Sequence, residues 1–99
     1  MTNKTLEDIL LIQHSLTIRL QQDGWILEKA CEHDDKQRSL QLLLTKGTKE
    51  CDVLPIHQAH LDTTGWCLEA YRRDVDLDVA YITDEIEIDY MIDYFNKEV

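Results

Sequence analysis

The sequence predicts an α+β fold in which N-terminal helices precede a small antiparallel β-barrel of four to five strands and a short C-terminal helix. Two patterns support this class: apolar residues at three- and four-residue steps near the start, and short alternating segments separated by turn residues further on. The 99 residues predict a single domain, 1–99. Within it we expect helices in 1–37, the barrel in 38–90 and the last helix in 90–97.

The first helix is an amphipathic segment of about five turns that begins at Leu6. Its apolar positions are Leu6, Ile9, Leu10, Ile12, Leu16 and Leu20. Thr5 and Asp8 have the spacing of a capping box. Asp23-Gly24 ends the helix, because glycine readily adopts the left-handed conformation at a helix end. Apolar residues at helical spacing predict a second, short helix in 25–36.

Strand patterns follow in 39–45, 51–55, 66–71 and 75–81, with turns at 46–49, 62–65 and 72–74. Pro55 cannot donate a hydrogen bond to a ladder, so we expect it at a sheet edge or a bulge. Residues 85–89 alternate like a short fifth strand that passes into the last helix. Several short strands with tight turns after a helix favour a small barrel of SH3-like or Sm-like type.

The charge of the chain is strongly negative, −10 in total, and uneven. Between Asp74 and Val99 there are nine carboxylates and one lysine. Such a surface repels phosphate backbones, which argues against direct nucleic-acid binding. We expect it to bind a basic protein partner through Asp74, Asp76, Asp78, Asp84, Glu85, Glu87, Asp89 and Asp93. The alternative is that these carboxylates only keep the surface solvated.

The sequence also predicts a cytoplasmic protein. No apolar run approaches the roughly 18 residues that a membrane span needs, and the first residues lack the pattern of a signal peptide. Cys31, Cys51 and Cys67 are odd in number and widely spaced, which is typical of reduced thiols rather than of a disulfide framework.

Residue types that could carry chemistry are present without a supporting pattern. His57 and His60 invite a zinc site with Cys51 and Cys67, but side chains three apart on a strand point to opposite faces. No cationic surroundings lower the pKa of Cys67 for use as a nucleophile. The alternating aspartates from Asp74 lack the glycine and glutamate of a calcium loop. We therefore expect no catalytic residue, metal or cofactor, and no enzyme activity.

The order of short motifs resembles the WYL domain, a module of bacterial transcription regulators and defence-associated proteins. The matching segments are 39–45, 46–49, 53–56, 65–68 with 70–71, and 81–86, within roughly residues 25–90. The resemblance implies that the motif and core residues are Pro55, Trp66, Cys67, Leu68, Tyr71 and Tyr81. Trp25 and Trp66 are expected to be core anchors, because each can bury a large apolar area.

Departures from the family pattern affect its ligand-binding face, which is associated with nucleotides or nucleic acid. Cys67 stands in place of the WYL tyrosine, Glu85 in place of the arginine of the closing triplet, and Leu44 in place of an aromatic residue. Loss of an arginine removes a bidentate phosphate clamp. The resemblance thus implies a stand-alone, divergent barrel that lacks both this clamp and the helix-turn-helix that usually accompanies the module.

Three functions remain open. The first is a regulatory or interaction module that binds a protein partner through its acidic surface. The second is an acidic inhibitor or nucleic-acid mimic, of a kind common among phage-type proteins, that acts on a basic host or defence protein. The third is a small-ligand sensor, in which Glu85 would favour a cationic or neutral ligand. The apolar stripe of the first helix also predicts a homodimer.

Overall fold

The computed structural model describes residues 4–30, 40–58 and 65–98. Helix α1 spans Leu6–Gln22, a 3-10 helix spans Glu85–Glu87, and helix α2 spans Ile88–Phe95. The strands are β1 (Ile26–Ala30), β2 (Leu42–Lys46), β3 (Lys49–Gln58), β4 (Gly65–Arg72) and β5 (Ala80–Ile82). The predicted α+β class is confirmed: along the chain, one helix precedes an antiparallel sheet and another follows it.

Helix α1 begins and ends as its sequence predicts. The backbone N–H of Asp8 donates to Oγ1 of Thr5 at 3.2 Å, and the backbone N–H of Thr5 donates to Oδ2 of Asp8 at 3.0 Å. This is a complete capping box. The helix ends at Gln22, and Gly24 adopts φ +94° two residues later. The left-handed turn directs the chain into β1.

The sheet is a meander in which each strand pairs antiparallel with the next, in the order β1-β2-β3-β4-β5. Alternate residues of β3 and β4 share one face of the sheet. There, Val53 and Ala70 belong to a core that includes residues of α1 and α2. Among the strands in the described ranges, β1 and β5 are outer edges that do not pair with each other. The sheet is therefore open, and the predicted barrel closure is not confirmed.

Helices α1 and α2 meet at one end of the molecule. The rings of Trp25 and Phe95 pack edge to face with centroids 5.3 Å apart. Nε1 of Trp25 donates to Oδ1 of Asn96 at 3.2 Å, and Nδ2 of Asn96 donates to Oδ2 of Asp23 at 3.0 Å. Trp25 is a buried core anchor, as predicted. These contacts join the end of the first helix to the end of the last.

The predicted second helix is wrong where it can be compared. Residues 26–30 form β1, which pairs with β2 through Ile26↔Thr45 and Leu27↔Leu44; residues 31–36 lie outside the described residues. A register shift between Leu27 and Lys29 interrupts the ladder. The extra residue of such a bulge breaks the two-residue alternation by which a strand is recognised. The bulge therefore explains why the apolar residues of this strand have a helical rather than an alternating spacing.

Two predicted strands near the end of the chain are also corrected. Of the strand expected over 75–81, only the end is a strand, as part of β5. The ladder between β4 and β5 runs only from Leu68↔Ile82 to Ala70↔Ala80. Residues 73–75 bend, and 76–79 have no regular structure. The strand expected over 85–89 is instead a 3-10 helix, Glu85–Glu87, followed by the start of α2. There, Oδ1 of Asp84 accepts a hydrogen bond from the backbone N–H of Ile86 at 3.2 Å and caps the turn.

Pro55 lies on β3 beyond the last pair of the β2–β3 ladder, Leu42↔Val53, and is paired with Leu68 of β4. Among the described strands, β3 therefore has a neighbour on only one side at Pro55. This confirms the predicted edge position, at which the missing N–H of proline costs no ladder hydrogen bond.

In the described part of the chain, no helix has the length and apolar character needed to cross a membrane.

Candidate partner-binding surface

The eight carboxylates predicted to bind a partner occupy two kinds of environment. Asp74 faces inward: its Oδ2 binds Nη2 of Arg72 at 2.6 Å, and its Oδ1 accepts from the backbone N–H of Glu50 at 3.0 Å. The Arg72 guanidinium holds the pKa of the Asp74 carboxyl well below its usual range. Asp74 is therefore engaged in an internal ion pair.

Two further carboxylates cap or bind local backbone, and a third forms an ion pair between the helices. Asp84 caps the 3-10 helix, and Oε1 of Glu87 accepts from the backbone N–H of Thr83 at 3.3 Å. Oδ1 of Asp89 lies 2.6 Å from Nη2 of Arg19, which links α2 to α1. Both side chains of this pair are well exposed, so the pair contributes little stability. Each of these carboxylates has a contact that a partner would have to replace or leave intact.

The remaining four carboxylates are Asp76, Asp78, Glu85 and Asp93. All four are exposed, and within the described ranges none has a side-chain hydrogen bond or ion pair. They come from the segment before β5, from the 3-10 helix and from α2. We call these four residues the open carboxylates.

The residues that carry the WYL resemblance are mostly structural. Pro55, Cys67 and Leu68 are buried, and Trp66 and Tyr71 are half-buried. Trp66 packs against the core, with its ring 5.3 Å from that of His57. Tyr81 is the exposed member of the set, with 47% of its surface accessible. Its register opposite Glu69 places it on the sheet face that points away from the helices.

A buried polar cluster occupies that same outer face, and the sequence analysis did not find it. Asp52 is 0% exposed. Its Oδ1 accepts hydrogen bonds from Nε2 of Gln41 at 2.9 Å and Nη2 of Arg73 at 2.8 Å, and its Oδ2 binds Nε of Arg73. Nε2 of Gln41 also donates to the Tyr71 hydroxyl at 2.8 Å. The available signal was Asp52 itself, a charged residue between two apolar core positions of β3.

Two of the three cysteines, Cys51 and Cys67, lie in the described residues, and burial disfavours the thiolate form of both. Burial, with a smaller effect from the Glu69 charge, raises the pKa of the Cys67 thiol to about 11. Burial also raises the pKa of Cys51. Both are free thiols and are protonated at neutral pH, so neither supplies a thiolate. The described residues include no group of three or more potential metal ligands; Cys31 and His60 lie outside them.

A groove separates the first half of α1 from the 3-10 helix. It has a volume of about 370 Å³ and is lined by Lys4, Asp8, Leu11, Ile12, Ser15 and Glu85. Glu85, one of the open carboxylates, therefore stands beside apolar surface. We call this the α1 groove. It is the place where the acidic surface of the described chain and an exposed apolar side chain of α1 come together.

Comparison with known proteins gives no assignment. No family model matches the chain, and no curated protein and no solved structure is significantly similar to it. The arguments for its function are therefore the motif order, the open carboxylates and the α1 groove.

Proposed function

We propose that this chain is a non-enzymatic interaction module of WYL-like type that binds a basic protein partner in the cytoplasm. The observation that supports the proposal best is the set of open carboxylates, Asp76, Asp78, Glu85 and Asp93, which lack an internal partner among the described residues. Uncompensated charge of one sign attracts a basic surface and accelerates association. The proposal includes closure of the strands into a barrel, which would require β1 and β5 to approach each other.

Two related functions use the same residues. In a nucleic-acid mimic, Asp76 and Asp78 would imitate phosphates and occupy the nucleic-acid site of a basic protein, so that DNA or RNA would displace this chain. In a small-ligand sensor, the α1 groove would hold a cationic or neutral compound beside Glu85. A compound of that kind would raise the melting temperature of the protein.

The proposal is tested by affinity capture from the native host at about 50 and 300 mM salt, concentrations between which screening changes substantially. The double variant Asp76→Asn/Asp78→Asn should lose a basic partner that the unmodified chain retains at low salt. The matched variant Glu7→Gln/Glu50→Gln removes the same charge from exposed positions elsewhere and should keep it. A partner that is equally retained by both variants and at both salt concentrations would contradict the proposal.

A homodimer through α1 is an alternative use of its exposed apolar residues, Leu11 and Ile18. These residues lie seven positions apart, so they share one stripe of the helix. Sedimentation at micromolar concentration would detect such a dimer, and Ile18→Arg should dissociate it. A mass near 11.7 kDa at all concentrations would exclude it.

A further inference from the structure

We infer that the α1 groove binds an apolar side chain that is flanked by basic residues in an unfolded or extended segment of the partner. This inference rests on the proposed function and adds to it the position at which the partner is anchored. Three properties of the groove support it: the exposure of Leu11, the sign of its charges and its size.

Of the two apolar residues that line the groove, Ile12 is buried and Leu11 is unusually exposed. Leu11 lines the groove and is 68% exposed. Ile86, which follows the groove residue Glu85 directly, is 85% exposed. These are the two most exposed large apolar side chains in the described part of the chain. Single exposed aliphatic residues are ordinary, but Leu11 lines a groove in which a partner can cover it.

The charges at the groove favour a basic occupant. Asp8 and Glu85 line it together with a single cation, Lys4. Hydrogen bonds from Thr5 lower the pKa of the Asp8 carboxyl, so Asp8 is ionised at neutral pH. Among the described residues, Glu85 forms no ion pair. Two carboxylates around an apolar surface complement lysine or arginine on either side of an apolar side chain.

The size of the groove favours a peptide segment over an enclosed small molecule. Its volume of about 370 Å³ is at the lower end of the roughly 300–1,000 Å³ range of ligand pockets. The exposure of Leu11 shows that the groove is open to solvent. An open site of this size can accept one or two side chains, while the charged residues at its rim bind the flanking positions of the same segment.

The test uses two capped hexapeptides as probes: Lys-Leu-Lys-Lys-Leu-Lys, and the same peptide with serine in place of both leucines. Each is titrated into the ¹⁵N-labelled full chain, and the amide shifts are followed by NMR. The leucine peptide should bind about tenfold more tightly, which is the effect of burying part of one aliphatic side chain. Its shift changes should lie in 4–15 and 84–87.

Variants of α1 separate the groove from the rest of the helix. Leu11→Ser should remove the preference for the leucine peptide. Ile18→Ser alters an exposed aliphatic residue of the same helix outside the groove and should preserve the preference. Both residues are exposed, so thermal melts of the two variants should resemble that of the unmodified chain.

Other outcomes would overturn the inference in distinguishable ways. Equal affinity for both peptides, with shifts confined to Asp76, Asp78 and Asp93, would refute the groove and leave the proposed function standing. The absence of shifts at every open carboxylate would count against both. Groove shifts that vary with protein concentration without peptide would assign the groove to a second copy of the chain.

Discussion

At the scale of single residues, Arg72 is a charged side chain that the fold encloses almost completely. Its side chain is 1% exposed. It donates to both carboxylate oxygens of Asp74, at 2.8 and 2.6 Å, and to the carbonyls of Tyr94, Phe95 and Lys97 at 3.4, 3.2 and 3.0 Å. Carbonyls at a helix C-terminus lack intrahelical donors and carry partial negative charge. Arg72 thus stabilises the end of α2 from β4.

Asp74→Asn should lower the free energy of unfolding by about 2 kcal/mol at pH 7, because the buried Arg72 loses its counter-ion but keeps its carbonyl acceptors. The folded-state pKa of Asp74 lies below the ordinary value of 3.8. Its contribution is therefore complete above about pH 5 and decreases as the pH falls below about 4. Urea denaturation at pH 7 and pH 3 should show a smaller difference between variant and unmodified chain at the lower pH.

The matched control for Asp74→Asn is Asp78→Asn. Asp78 is an exposed carboxylate of the same segment and does not contact Arg72. It should change the free energy of unfolding by less than about 0.5 kcal/mol. Equal losses for Asp74→Asn and Asp78→Asn would mean that the ion pair contributes no more than a surface charge does.

At the scale of elements, the sequence correctly predicted the structures that depend on neighbouring residues. Its predictions were wrong for segments whose structure depends on pairing with distant residues. The capping pair Thr5 and Asp8, the apolar period of α1 and the β2–β3 turn at Gly47 are local signals, and all three are realised. The strand β1 was missed because its bulge disrupts the alternation. Residues 76–79 alternate as a strand would but pair with no strand in the part of the chain that the structure describes, and pattern alone does not supply a partner.

The capping box offers a test of local encoding. Thr5→Ala should lower the free energy of unfolding by about 1 kcal/mol, because the Asp8 backbone N–H loses its acceptor at the helix start. Thr5→Ser retains a hydroxyl oxygen and should restore most of the loss. Urea denaturation of both variants measures the difference between their free energies of unfolding. Equal stability of Thr5→Ala and Thr5→Ser would show that the cap contributes little.

At the scale of the whole molecule, the candidate site was only partly predictable from sequence. Composition identified the acidic segment 74–99, but not which of its carboxylates the fold uses internally. Asp74 binds Arg72 of β4, and Asp89 binds Arg19 of α1, a residue 70 positions away in the numbering. The Arg19–Asp89 pair depends on the packing of α2 near α1, which the composition does not reveal. The same holds for the α1 groove, which brings Leu11 near Glu85.

The net charge of −10 should make the folded state more stable as salt is added. Repulsion among carboxylates opposes the compact state and is screened at higher ionic strength. We expect the free energy of unfolding to rise by about 0.5 kcal/mol between 20 and 300 mM sodium chloride, a magnitude typical of exposed charges. Asp76→Lys/Asp78→Lys should reduce this dependence. A decrease in stability with salt would instead indicate that surface ion pairs such as Arg19–Asp89 dominate.

The contact between the ends of α1 and α2 also has a consequence for synthesis. A ribosome completes α1 first, yet Trp25 meets Phe95 and Asn96 only after almost the whole chain has been made. At about 5–20 residues per second, synthesis of the residues between α1 and the end of α2 takes roughly 4–15 s. During this time the part of α1 that packs against α2 in the folded protein stays uncovered, and a chain truncated before α2 would keep that part of the helix exposed.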